Sequence, residues 1–188
     1  MDKTMKQKAA RTAVDGFKVV ERLYRHGYQI LTALKDEIKM AQNLKSESPM
    51  YNNSQSATDP KSWLYHFKGL YLAYKKISLD EYIKTQGPIL FLQASLYNPT
   101  DKEPLLRYGV IQNISDLKTW KGARFDDYFR QIIGELHSEP RSGKIKTSHC
   151  IGATKFDEKP LLDIREDQDV LALAGIIGEK YMPYLEEK

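Results

Sequence analysis

His149 and Cys150 stand side by side in "RSGKIKTSHCIGATKF", residues 141–156, and Cys150 is the only cysteine of the chain. A thiol beside an imidazole could make a thiolate nucleophile, provided the base lies within hydrogen-bond reach of the sulfur. The stretch reads as a strand that follows a turn marked by Pro140 and Gly143. Ile145, Thr147, His149, Ile151 and Ala153 then share one face, and Lys146, Ser148, Cys150, Gly152, Thr154 and Phe156 share the other. Neighbours on a strand point to opposite faces, so the ring and the sulfur are expected apart, and no catalytic residue is assigned.

Arg141, Lys144 and Lys146 place three cations at the head of the same stretch. The phosphate loop of nucleotide hydrolases needs a glycine five residues before Gly143 and a Ser or Thr after Lys144; Ser138 and Ile145 hold those positions instead. What is left to these cations is contact with phosphates or other anions as plain charges.

Carboxylates raise the question of metal chemistry. Asp157 and Lys159 in "FDEKP" match the acid-x-Lys pair that many metal-dependent nucleases carry on a strand, but here a hairpin turn is expected. Asp126, Asp127 and Glu135, the acids upstream, read as exposed helix residues. Glu135, His137 and Glu139 do not share a helical face, and no second histidine follows at four residues, so no metal site is expected. The spacing of Arg130 and His137 in "RQIIGELH" occurs in some all-helical ribonucleases, and a chain with several strands departs from that fold. Asp163, Glu166, Asp167 and Asp169 crowd one junction, where helix capping and the positive end of a helix dipole account for them. No cofactor is expected from any of these groups.

The elements that must position these residues are clearer than the chemistry. The chain has 188 residues, 41% of them apolar and 29% charged, which suits one domain with a core of its own. Phe17, Val20, Tyr24, Gly27, Leu31, Leu34, Ile38 and Ala41 alternate spacings of three and four, as one face of a long helix does. The same spacing is that of a coiled-coil seam: the stripe either packs against the rest of its own domain or pairs with a second copy, and in the second case Phe17, Val20, Tyr24, Leu31, Leu34 and Ile38 are candidate interface residues for a homodimer. Gly27 fills no hole in such a seam and marks a place for a kink. Residues 1–47 form this arm, 48–59 a polar loop and 60–188 an α+β domain. Within the domain, Trp63, Phe67, Leu70, Tyr74 and Ile77 follow Asp59-Pro60 at helical spacing, and Ser78 with Glu81 predicts a short helix. "PILFLQASLYN" and "LLRYGVIQNI" predict an antiparallel hairpin, and Phe125, Phe129, Ile132 and Leu136 mark a helix. "KIKTSHCIGATKF" and "LLDI", joined at "DEKP", predict a second hairpin, and "EDQDVLALAGIIGEKYMPYLEE" a last helix that Pro183 ends or bends. The fold expected is α+β: a mainly antiparallel sheet of about four strands, with a long N-terminal helix and a C-terminal helix packed on it.

The net charge of +4 is too small to argue for nucleic acid by itself. Its distribution is uneven: residues 1–47 carry ten basic and six acidic side chains, and residues 160–188 three basic and seven acidic. No apolar stretch has the length of a membrane span, and the N-terminus lacks the apolar segment of a signal peptide, so a cytoplasmic location away from membranes is expected. The function expected is that of a non-enzymatic regulatory or interaction module, dimeric through the helical seam and with room for a small ligand against the sheet. Two alternatives stand beside it. One is a nucleic-acid-binding protein that uses the basic arm and the 141–146 turn. The other is a metal-dependent phosphodiester hydrolase whose acids the sequence does not assemble.

Overall fold

The strand Ile89–Ser95 (β3) is buried at every position, so the sheet that holds it needs a helical layer on each side. The computed structural model has that arrangement and describes residues 3–42, 51–52, 67–72, 88–97, 101–115, 125–140, 142–147 and 151–186. Besides β3, the strands are β1 (Tyr51–Asn52), β2 (Phe67–Leu72), β4 (Leu105–Ser115), β5 (Gly143–Lys146) and β6 (Ile151–Pro160). Every pairing is antiparallel, in the order β1-β2-β3-β4-β6-β5. The helices are α1 (Lys3–Gln42), α2 (Phe125–Ser138) and α3 (Asp167–Glu186). The class is α+β, with the N- and C-terminal helices on the sheet as the sequence predicts. Five strands of four residues or more, with the two-residue β1 beyond them, stand where about four were expected.

The alternation along each strand sorts two cores. Leu70 and Leu72 of β2, Leu90, Leu92 and Ala94 of β3, and Leu106, Tyr108 and Val110 of β4 meet α1 and α3, which contribute Leu31, Leu34, Ile38, Leu173, Ile177 and Tyr181. Phe67, Tyr71, Ile89, Phe91 and Ile111 point the other way, onto Tyr128, Phe129, Ile132, Ile133 and Leu136 of α2.

Two local expectations are corrected, and of the end or bend expected at Pro183 the end does not occur. The helix expected across 60–77 is a strand where the chain is described, because Phe67–Leu72 pairs with β3. A strand buried on both faces has apolar residues at nearly every position and so satisfies a helical stripe as well as a strand pattern; its aromatic content was the better guide. The single strand expected from Lys144 to Phe156 is two strands, β5 and β6, which pair with each other with Lys146 opposite Ile151. In consequence "FDEK" lies inside β6, and "LLD" forms a short 3-10 turn, Leu161–Asp163, instead of a strand. Pro183 does not end α3, which runs on to Glu186; the proline is exposed, so water can serve the carbonyl it leaves unbonded.

α1 is one helix through Gly27. A Cβ there would meet Leu96 Cδ2 at 3.1 Å and Leu161 Cδ2 at 3.4 Å, so the glycine permits the close crossing of helix over sheet. The short helix starting at Ser78, the Asp59-Pro60 cap and most of the 48–59 loop lie outside the described residues.

Candidate interaction surface

The apolar stripe of α1 has two halves with different fates. Leu31, Leu34 and Ile38 are buried against the sheet and α3 of their own chain, and Leu23 and Tyr24 pack at the edge of that core. Val20 is half-buried. Beyond it the helix leaves the sheet: Phe17 is 70% exposed and Val14 52%. Residues 7–19 are exposed at every position. The stripe is therefore continuous in sequence, while among the described residues only its C-terminal half has a partner surface.

This free half is also basic. Residues 3–22 hold six basic and two acidic side chains. Asp15 pairs with Lys18 at 3.6 Å and Glu21 with Arg25 at 2.9 Å. Lys8, Arg11 and Arg22 make no ion pair among the described residues.

α3 runs beside the C-terminal half of α1 and has the opposite balance, four acidic and one basic side chain over Asp167–Glu186. Asp169 Oδ2 accepts the backbone N–H of Arg165 at 2.8 Å and of Glu166 at 3.1 Å. These two bonds hold its carboxyl below the usual carboxylate range. Asp169 thus caps the start of the helix, as the capping reading predicts for it. Between α1 and α3 lies a groove of ≈ 370 Å³ lined by Glu37, Ile38, Leu171, Gly175, Gly178 and Glu179 among others. Leu171 is 53% exposed on its wall. Gly175 belongs to the lining and is exposed, and a Cβ there would meet nothing within 4 Å. The lining is apolar apart from the two carboxylates.

On the other face of the sheet, polar side chains form a chain of hydrogen bonds at one end of α2. Arg107 is wholly buried; its Nε donates to Glu158 Oε1 at 2.6 Å and its Nη2 to Asp101 at 2.9 Å. Ser95 Oγ donates to Asp101 Oδ2 at 3.1 Å and lies 3.2 Å from His137 Nδ1. Having given its one proton to Asp101, the hydroxyl accepts from Nδ1–H of His137. The ring of His137 lies 4.8 Å from that of Phe67. Gln93 Nε2 donates to the carbonyl of Ile133 at 2.9 Å. In a Ser-His-Asp catalytic set the acid holds the histidine; here it holds the serine and the arginine, and Ser95 is itself buried. The arrangement ties β3, β4, β6 and α2 together. Arg107, Asp101 and Ser95 were not singled out in the sequence, although a lone arginine amid "LLRYGVI" signals a charge carried into a core.

Asp157 and Lys159 sit on β6 rather than in a turn. Asp157 accepts from Lys180 at 2.5 Å. It also lies near Tyr181, whose hydroxyl makes no bond of good geometry and feels the carboxylate through its charge. Burial first and Asp157 second push the phenols of Tyr181 and Tyr108 upward. Lys155 donates to the Tyr184 hydroxyl nearby. No group of three or more His, Cys, Asp or Glu side chains is arranged to hold a metal ion among the described residues.

Of the cations singled out beside the cysteine, Lys144 and Lys146 are exposed on β5. Arg141, His149 and Cys150 lie outside the described residues. No helix among the described residues is long and apolar enough to cross a membrane. No family model, no curated protein and no solved structure matches the chain.

Proposed function

We propose that this chain is an interaction module which pairs with a second copy of itself through the N-terminal half of α1, rather than an enzyme. One observation carries the reading: the stripe that is buried at Leu31, Leu34 and Ile38 and half-buried at Val20 runs on, bare, through Phe17 and Val14. Helices in water draw most of their stability from packing an amphipathic face. Residues 7–19 have no such packing among the described residues. Covering Phe17 or Val14 contributes roughly 1.5–3 kcal/mol per side chain. A contiguous apolar stripe left in water is the usual mark of a contact surface.

The buried polar chain around Arg107 supports the same reading from the other side. Most of its hydrogen-bonding groups are engaged with one another and serve the frame that carries α1, while Arg107 Nη1 and Gln93 Oε1 are buried without a partner among the described residues. Light scattering on the full chain across a range of concentrations tests the proposal. A mass of twice 21.7 kDa is expected, falling to the single mass on dilution. A single mass at every concentration overturns it.

A further inference from the structure

We infer that the partner surface for each arm is the acidic groove between α1 and α3 of the second copy, so that two arms are exchanged reciprocally. This rests on the dimer reading above and specifies it. An arm-to-arm seam would bring two segments of six basic and two acidic side chains together, and like charges oppose such pairing. The groove offers the opposite sign, with Glu37 and Glu179 in its lining. It also offers apolar surface that no described element covers: Leu171 on its wall is 53% exposed.

Shape agrees with charge. Phe17, the most exposed of the large apolar side chains, needs a hollow. The groove between α1 and α3 offers ≈ 370 Å³, with the glycines at 175 and 178 adding no side chain to its lining. Lys18 is turned by about 100° from Phe17 on the helix, so a phenyl ring seated in the hollow carries the ammonium group towards the two carboxylates. Each copy owns one arm and one groove. Reciprocal insertion uses both and closes on a two-fold axis, leaving no unpaired end to grow into a filament.

The test is a set of full-length variants whose dimer dissociation constants are measured by analytical ultracentrifugation. Gly175→Leu fills the hollow from its lining. Since a Cβ at 175 touches nothing and leucine favours helix over glycine, the variant is expected to fold with a melting temperature no lower than wild type at monomeric dilution. Its dissociation constant is expected to rise at least about thirtyfold, the scale of losing one central anchor. Glu179→Lys is expected to weaken the dimer about tenfold, and Lys18→Glu in the same chain to restore part of it. If Phe17→Asp is monomeric while Gly175→Leu and Glu179→Lys pair like wild type, the groove is overturned and the dimer stands. If wild type is monomeric, both fall. A monomer that binds phosphatidylserine vesicles or duplex DNA in a Phe17-dependent manner assigns the arm to that occupant and overturns the inference.

Discussion

Arg107 and Glu158 face each other across the β4–β6 pair as register partners, with Nε and Oε1 2.6 Å apart. The arginine is wholly buried, and its second partner, Asp101, is 9% exposed. A charge taken that far from water is tolerable only while its partners remain. Arg107→Met should therefore lower the free energy of unfolding by about 3–5 kcal/mol, because it leaves Asp101 buried without its cation. Glu158, at 39% exposure, is reached by water, so Glu158→Gln should cost about 1 kcal/mol or less. Urea titration of both variants checks the order; an equal or smaller loss at Arg107 contradicts it.

At Gly109 of β4 the partner strand β6 approaches closely. A Cβ there would lie 2.1 Å from the carbonyl oxygen of Lys155 and 2.6 Å from the Cα of Phe156. Both obstacles are backbone, so relief requires the strands to part. Gly109→Ala should cost at least about 1–3 kcal/mol. Gly152→Ala is the control: its new methyl would meet Ile111 at 3.5 Å, an ordinary contact. Thermal melting should separate the two, and equal melting temperatures would refute the crowding at Gly109.

Tyr108 and Tyr181 keep their protons beyond the ordinary phenol value of 10.0, through burial first and then the Asp157 charge. The unfolded chain releases these protons near that ordinary value while the folded chain still holds them. Their contribution is therefore present in full below pH 10 and is lost as pH rises above it. Stability measured from neutral to strongly alkaline pH should fall more steeply in wild type than in Tyr181→Phe. Identical slopes would mean that the phenol is not held.

Asp169 works at the opposite end of the scale. Its depressed carboxyl adds stability above the ordinary carboxylate value of 3.8, and that stability is lost as pH falls through the lower folded value. Asp169→Ala should lower the melting temperature at pH 7 and flatten the acid limb of the stability profile. A variant that melts with wild type at pH 7 and differs from it only in acid would contradict the capping role.

Much of the frame could be read from the chain, for reasons particular to its residues. α1 announced itself because Phe17 to Ile38 keep one period over many turns, and β3 because it is apolar between Gly87-Pro88 and Asn98-Pro99. β2 was misread because a strand with helices on both sides loses the alternation that marks a strand. The second hairpin was displaced because Lys155 to Lys159 carry turn-like residues although they occupy a strand: one side of that strand serves Lys180, Tyr181 and Tyr184, the other Arg107. The groove was invisible in sequence. It depends on two glycines of α3 lying beside Glu37 of α1, a proximity that no local pattern encodes. Which half of the α1 stripe is bare was equally hidden, since burial at Leu31 and exposure at Phe17 follow from where the sheet ends and not from residue type.

Sedimentation equilibrium of wild type and Phe17→Asp, run side by side on the full chain at matched concentrations, bears most directly on the bare arm. The account predicts a reversible dimer of twice 21.7 kDa for wild type and a folded monomer for the variant, with far-ultraviolet circular dichroism retained. A wild-type chain that stays monomeric, or a Phe17→Asp chain that dimerises as wild type does, would contradict it.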